Sequence, residues 1–265
     1  MSVVVVDGVG LNVRVDGPED APAVVLSNSL GTDLSMWEPQ VPALRERFRV
    51  VRYDLRGHGG SDVSPGPTTI DRLGQDVVDL LDALGIERAH VCGLSVGGLV
   101  STWLAARRPD RVGRAVLGAV SARIGTQELW QDRADAVRAG GMAAVVDAVL
   151  ARFFSERFRT ERPDVVARVA QVLAATPPEG YAAACLALRD ADLRAEVARI
   201  AAPTLVVVGR EDPATPVTEA EWLHAQIPGS DLAVLEDAGH LCNLEQPARF
   251  TDAVVRFLSG GGGSI

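Results

Sequence analysis

Apolar positions along the chain follow two alternating periods. Short runs rich in β-branched residues stand at 3–6 (VVVV), 11–15 (LNVRV), 23–28 (AVVLSN), 48–53 (FRVVRY), 89–94 (AHVCGL), 114–120 (RAVLGAV), 204–209 (TLVVVG) and 232–236 (LAVLE). The first two, joined through DGVG, predict a hairpin. The rest are apolar almost throughout, as strands covered on both faces of a parallel sheet must be. Between them the period lengthens. Ile70, Leu73, Val77, Leu80, Leu81 and Leu84 form a helical stripe, opened by Thr68 with Asp71 as a capping box. Further helical patterns lie at about 96–107, 217–226 and 246–258. The alternation predicts an α/β fold with a mostly parallel, doubly wound sheet.

One stretch breaks the alternation. Residues 122–200 are rich in Ala, Arg, Val and Leu at helical spacing, with no convincing strand. This predicts a helical cap inserted before the last two strands. The expected organisation is then a core of residues 1–121 and 201–259, a cap of 122–200, and a flexible Gly-rich tail at 260–265.

With 265 residues, 47% hydrophobic and 23% charged, the chain can bury a full core. Its net charge of −9, with both signs interspersed, leaves no basic footprint for nucleic acid. No apolar run is long enough to span a bilayer, and Asp7 and Gly8 interrupt the first one, against a signal peptide. Cys92, Cys185 and Cys242 lack metal-ligand spacing and read as free thiols in a reducing cytoplasm. No metal site and no organic cofactor are expected.

Chemistry concentrates at Gly93-Leu94-Ser95-Val96-Gly97, a G-x-S-x-G motif between a predicted strand and a predicted helix. Small flanking residues allow a tight strand-to-helix turn that displays the serine. A serine hydroxyl is a weak nucleophile until a base takes its proton. Of His58, His90, His224 and His240, the order serine–acid–histidine leaves His224 and His240 with room for an acid between. His224 sits inside an amphipathic helical pattern, whereas His240 follows the last strand, where catalytic groups of parallel sheets lie. His240 is therefore the expected base, with His58 in DLRGHGGSD as its rival. Asp212, just beyond TLVVVG, is the expected acid, ahead of Glu211 and Asp237. The backbone N–H groups of Val96 and Leu30 are the expected oxyanion donors.

The strings SNSLGTDLSMW, DLRGHGGSD, CGLSVGGL, REDPATP and AGHLCNLEQP resemble those of the α/β-hydrolase superfamily. SNSLG, with ARIGTQELW, RAGGMAA and ATPPEGYAAAC in the predicted cap, is similar to 3-oxoadipate enol-lactonase over residues 3–258. The resemblance implies an α/β-hydrolase fold, a Ser95–Asp212–His240 triad and a small lactone as the partner. It implies opening of 3-oxoadipate enol-lactone through an acyl-enzyme, in aromatic-compound degradation. The chain departs from the family at Val96, where methionine is commoner. The family also includes members with a decarboxylase domain downstream, and the tail suits a linker to such a domain after residue 259. Rival expectations are a carboxylesterase, a cofactor-free haloperoxidase-like perhydrolase, or a small-molecule receptor that keeps the fold without turnover.

A lactone that carries a free carboxylate calls for a fixed cation in the pocket. Trp130 and Arg133 in IGTQELWQDRADAV are three apart, hence on one helical face, and are the expected substrate contacts. Arg189 in LALRDADLR is the second choice.

Overall fold

The computed structural model describes residues 2–64 and 66–261; residues 262–265 of the expected tail lie outside the described residues. Eight strands form one sheet: β1 (Ser2–Val6), β2 (Val9–Asp16), β3 (Ala23–Ser27), β4 (Arg49–Tyr53), β5 (Ala89–Leu94), β6 (Val112–Gly118), β7 (Thr204–Gly209) and β8 (Asp231–Leu235). Their spatial order is β1-β2-β4-β3-β5-β6-β7-β8. Every run singled out by its apolar pattern is a strand.

The β1–β2 hairpin turns through Asp7 and Gly8, with φ of 47° and 73°. Positive φ at both turn residues matches the right-handed strand twist, which is why Asp-Gly stands there. β2 also pairs antiparallel with β4, and from β4 to β8 the pairing is parallel. β3 and β7 are buried at every position, as strands covered on both faces require.

The chain order reverses beside β3. From β3 the chain runs out to β4 on one side, then crosses to β5 on the other. Loops leaving the carboxyl ends of β3 and β5 therefore part in opposite directions and open a crevice. Ser27 pairs with Gly93 in this register, so Leu30 and Ser95, three and two residues further on, meet at that crevice.

The helix Ile70–Ala83 starts at Thr69, whose hydroxyl accepts the Arg72 N–H; Thr68 is not the cap. Thr69 has the extended backbone of a cap residue (φ −131°, ψ 161°), which turns its side chain onto the first turn. The segment between β6 and β7 holds five α-helices, Gln127–Gly140, Val146–Phe153, Glu156–Glu161, Pro163–Ala175 and Pro178–Asp190, and two short 3-10 turns, Met142–Ala144 and Val197–Arg199; it forms the cap. Its first and last α-helices pack against each other over the sheet's carboxyl end. Among the described residues, no helix is long and apolar enough to cross a membrane.

Candidate active site

Ser95 stands between β5 and the helix Val96–Arg107 with φ 61° and ψ −117°. A non-glycine residue rarely holds such a backbone, and the surroundings here enforce it. The Ser95 N–H donates to the Gly118 carbonyl at 2.9 Å and the Gly97 N–H to that of Asn28 at 3.1 Å. A Cβ on Gly93 would collide with the Gly97 carbonyl, and one on Gly97 with the Ser27 carbonyl. The glycines let helix and strands close on one another, and the serine is left at the crest of the turn.

The loops after β7 and β8 bring Asp212 and His240 together. His240 Nδ1 lies 2.8 Å from Asp212 Oδ2, with both side chains buried. Asp212 also accepts hydrogen bonds from the N–H groups of Ala214 (2.7 Å) and Thr215 (3.1 Å) and from the Thr215 hydroxyl (2.7 Å). Burial opposes its ionisation, but the imidazole and the Thr215 donors outweigh burial and hold the carboxyl below its ordinary value. The carboxylate thus fixes the ring with Nδ1–H toward Asp212 and Nε2 left as the acceptor. Ser95 and His240 line the same cavity, although no direct hydrogen bond joins them.

The other candidate acids and histidines lie elsewhere. Glu211 is exposed. Asp237 is a turn residue with φ 59° whose carboxylate lies 3.5 Å from Arg157. His224 bonds to the Ser230 hydroxyl, and His90 lies along β5 far from its carboxyl end. His58 is buried against Tyr181 and is not among the cavity's lining residues.

Burial pushes the His58 ring down to about 4 from an ordinary 6.5, so it is neutral at pH 7. Below about 6.5 the unfolded chain binds a proton that the folded chain refuses. Stability is therefore full above that pH and falls as the pH drops toward about 4, by on the order of 3 kcal/mol. Unfolding midpoints measured across this range are expected to fall less steeply for His58→Gln, which should keep most of its activity at neutral pH. If His58→Gln is inactive while His240→Gln is active, the two roles are reversed.

Leu30 reaches the cavity from the loop after β3. Its N–H has no hydrogen-bond partner among the described residues, and the Val96 N–H, first in its helix, has no intrahelical acceptor. Both are available to an oxyanion beside Ser95.

The cavity is small, about 20 Å³. The cap supplies Trp130 and Arg133 from its first helix, Val149, Arg152 and Phe153 from its second, and Tyr181 from its last. The Arg133 guanidinium lies 4.9 Å over the Trp130 ring, a cation held on an aromatic face. Arg189 is elsewhere, bonded to Asp190 and Gln131. A more open groove between β8 and the helix Pro247–Leu258 contains none of these groups.

Two residues carried no signal in the sequence. Phe153 stacks on the His240 ring (5.9 Å, 22°) while its carbonyl accepts the Leu241 N–H. Glu245, buried, accepts from the Ser155 N–H (2.9 Å), the Ser155 hydroxyl (2.6 Å) and the Gly239 N–H (3.0 Å). It ties the histidine loop to the cap. Neither pattern is visible without the long-range pairing.

The family model described as alpha/beta hydrolase fold matches residues 22–247. The chain belongs to the α/β-hydrolase family. This α/β hydrolase is 46% identical over 243 residues to 3-oxoadipate enol-lactonase 1 of Acinetobacter baylyi, covering 92% of this chain and 91% of the relative. It is 42% identical over 246 residues to 3-oxoadipate enol-lactonase 2 of the same organism, covering 93% and 92%. Its fold superposes on the crystal structure of the enol-lactonase from Burkholderia xenovorans LB400 with a TM-score of 0.96 at 46% identity, covering 97% of this chain and 100% of the other.

Proposed function

We propose that this α/β hydrolase opens 3-oxoadipate enol-lactone to 3-oxoadipate through an acyl-enzyme on Ser95, within the degradation of aromatic compounds. The observation that carries the reading is a cation, Arg133 on Trp130, in the same small cavity as Ser95 and His240. A simple ester has no use for it; a lactone with a free carboxylate does. Relatives named as 3-oxoadipate enol-lactonases, aligned over more than nine-tenths of the chain, support the same substrate.

In this mechanism His240 Nε2 takes the Ser95 proton as Oγ attacks the lactone carbonyl. Negative charge on the carbonyl oxygen is met by the N–H groups of Leu30 and Val96, each such donor contributing about 2.7–4 kcal/mol in the transition state. Collapse breaks the ring C–O bond. His240 returns the serine proton to the departing ring oxygen, so the leaving group is an enol, which departs more readily than an alkoxide and tautomerises to the ketone, and His240 is again neutral. Water, deprotonated by His240, then attacks the acyl-enzyme; the Ser95 oxygen departs with the proton, and the acid is released. Asp212 holds the imidazole in the required tautomer and stabilises its charged form. We read the location as cytoplasmic, since the three cysteines are buried and unpaired, as suits a reducing compartment.

The test is turnover of the enol-lactone against neutral aryl esters, with Arg133→Met beside the parent. Arg133→Met is expected to cost the lactone reaction about 2–5 kcal/mol in kcat/KM while largely sparing the aryl ester. Equal losses on both substrates, or none on either, would assign the carboxylate to another residue. Faster turnover of plain esters than of the lactone by the parent would favour a general carboxylesterase.

A further inference from the structure

The cavity contains a second cation that one substrate carboxylate does not explain. Arg133 and Arg152 both line it, from two different cap helices, and neither has a carboxylate within 4.0 Å among the described residues. By contrast Arg138, Arg157 and Arg189, also in the cap, are paired with acids. The two like charges repel, and burial followed by the charge of Arg133 outweighs the opposing charge of Asp212 and holds the Arg152 guanidinium below its ordinary value. Among the described residues no carboxylate pairs directly with either guanidinium, and Asp212, committed to His240, only partly offsets Arg152, so an anion from outside has a place there.

A second observation points the same way. Tyr181 is fully buried and lines the cavity, yet among the described residues its hydroxyl, beside the Arg133 guanidinium, makes no well-formed hydrogen bond. A buried hydroxyl without a well-formed bond costs free energy unless a ligand completes it. Burial pushes its phenol up, so it remains protonated and able to donate. Both guanidiniums act on it electrostatically, which puts all three groups around one small space.

Position divides the labour. Arg152 lines the cavity and feels the charge of Asp212, the carboxylate behind His240, so Arg152 belongs to the end of the cavity where the acyl group reacts. Arg133, on Trp130, belongs to the other cap helix. On the enol-lactone reading, on which this assignment rests, the substrate arrives with one carboxylate and hydrolysis of the acyl-enzyme creates the second at Ser95. We propose that Arg152, with the Tyr181 hydroxyl shared between it and Arg133, forms a second carboxylate subsite, which makes the cavity a receptor for short aliphatic dicarboxylates, including its own product. Arg133 holds the carboxylate the substrate brings, and Arg152 with Tyr181 holds the one the reaction makes. Product release then works against both contacts, and unreactive dicarboxylates of the product's length compete with substrate.

The test uses adipate, a six-carbon dicarboxylate that cannot react, and hexanoate, its monocarboxylate counterpart. Each is titrated calorimetrically into the full-length parent and used as a competitive inhibitor of aryl-ester turnover. Adipate is expected to bind at least about ten-fold more tightly than hexanoate, the worth of one added charge-assisted contact. Arg152→Gln should bring adipate to the level of hexanoate, and Tyr181→Phe should weaken adipate several-fold. Tyr181→Phe keeps the ring, so it decides the matter if Arg152→Gln does not fold. Arg189→Gln, outside the cavity, should leave the preference intact. Equal binding of adipate and hexanoate to the parent overturns the proposal, as does a full preference in both Arg152→Gln and Tyr181→Phe. A parent that turns over the enol-lactone without preferring adipate sinks the subsite and leaves the reading in place. A parent inert to the lactone whose adipate preference depends on Arg152 sinks the reading and supports the subsite.

Discussion

Ser95→Ala is expected to lower lactone turnover by about 10⁶-fold and to abolish labelling by a fluorophosphonate. The size follows from the way the triad acts as a unit. Without Oγ no covalent intermediate forms, and His240 and Asp212 have no proton to move; what survives is cavity binding and oxyanion stabilisation alone. Alanine suits the site sterically. It is smaller than serine, and the main-chain bonds to Gly118 and from Gly97 that hold the elbow do not involve the side chain. Thermal unfolding of the variant should therefore match the parent within a few degrees, which separates lost chemistry from lost fold. In the parent the probe should add once, and peptide mapping should place it on the segment that contains Ser95. A label on another residue, or stoichiometric labelling of Ser95→Ala, would remove Ser95 from the mechanism.

Asp212→Asn is expected to cost about 10⁴-fold in kcat, equally on the enol-lactone and on an aryl ester. Asparagine fills the same volume, and its carbonyl can still accept from Ala214 and Thr215. Its amide, however, would face His240 Nδ1 at the position where Oδ2 now accepts. A donor there drives the imidazole proton to Nε2, the nitrogen that must receive the serine proton. The defect is in the base, so it takes no notice of the substrate's charge. That equality distinguishes it from Arg133→Met, whose loss falls on the carboxylate-bearing substrate. A drop of less than about ten-fold would mean that another acid orients His240.

The sequence alone carried the sheet, the tight turn at Ser95 and the strand-end positions of Asp212 and His240, because each is written in neighbouring residues. Whether a run is covered on both faces shows in its own composition, as in TLVVVG, and the β1–β2 turn shows in Asp7-Gly8. Gly93 and Gly97 announce close backbone approach around Ser95, and a helical face puts Trp130 beside Arg133. Even so, local pattern missed by one residue at the helix start. Thr68 and Thr69 look alike in sequence, and only the backbone angle at Thr69 selects the cap.

Tertiary structure decided which of the many cap arginines face the cavity. Arg133, Arg152 and Arg189 share a chemistry and differ in where their helices are placed, and that placement depends on contacts between segments far apart in the chain. The same is true of Phe153 on His240, of Glu245 joining Ser155 to Gly239, and of the Tyr181 hydroxyl left without a well-formed bond. Ser95 and His240 belong to short segments at strand ends, where local sequence dictates geometry. The arginines and aromatics that line the cavity from above sit on helices whose orientation is a property of the packed whole.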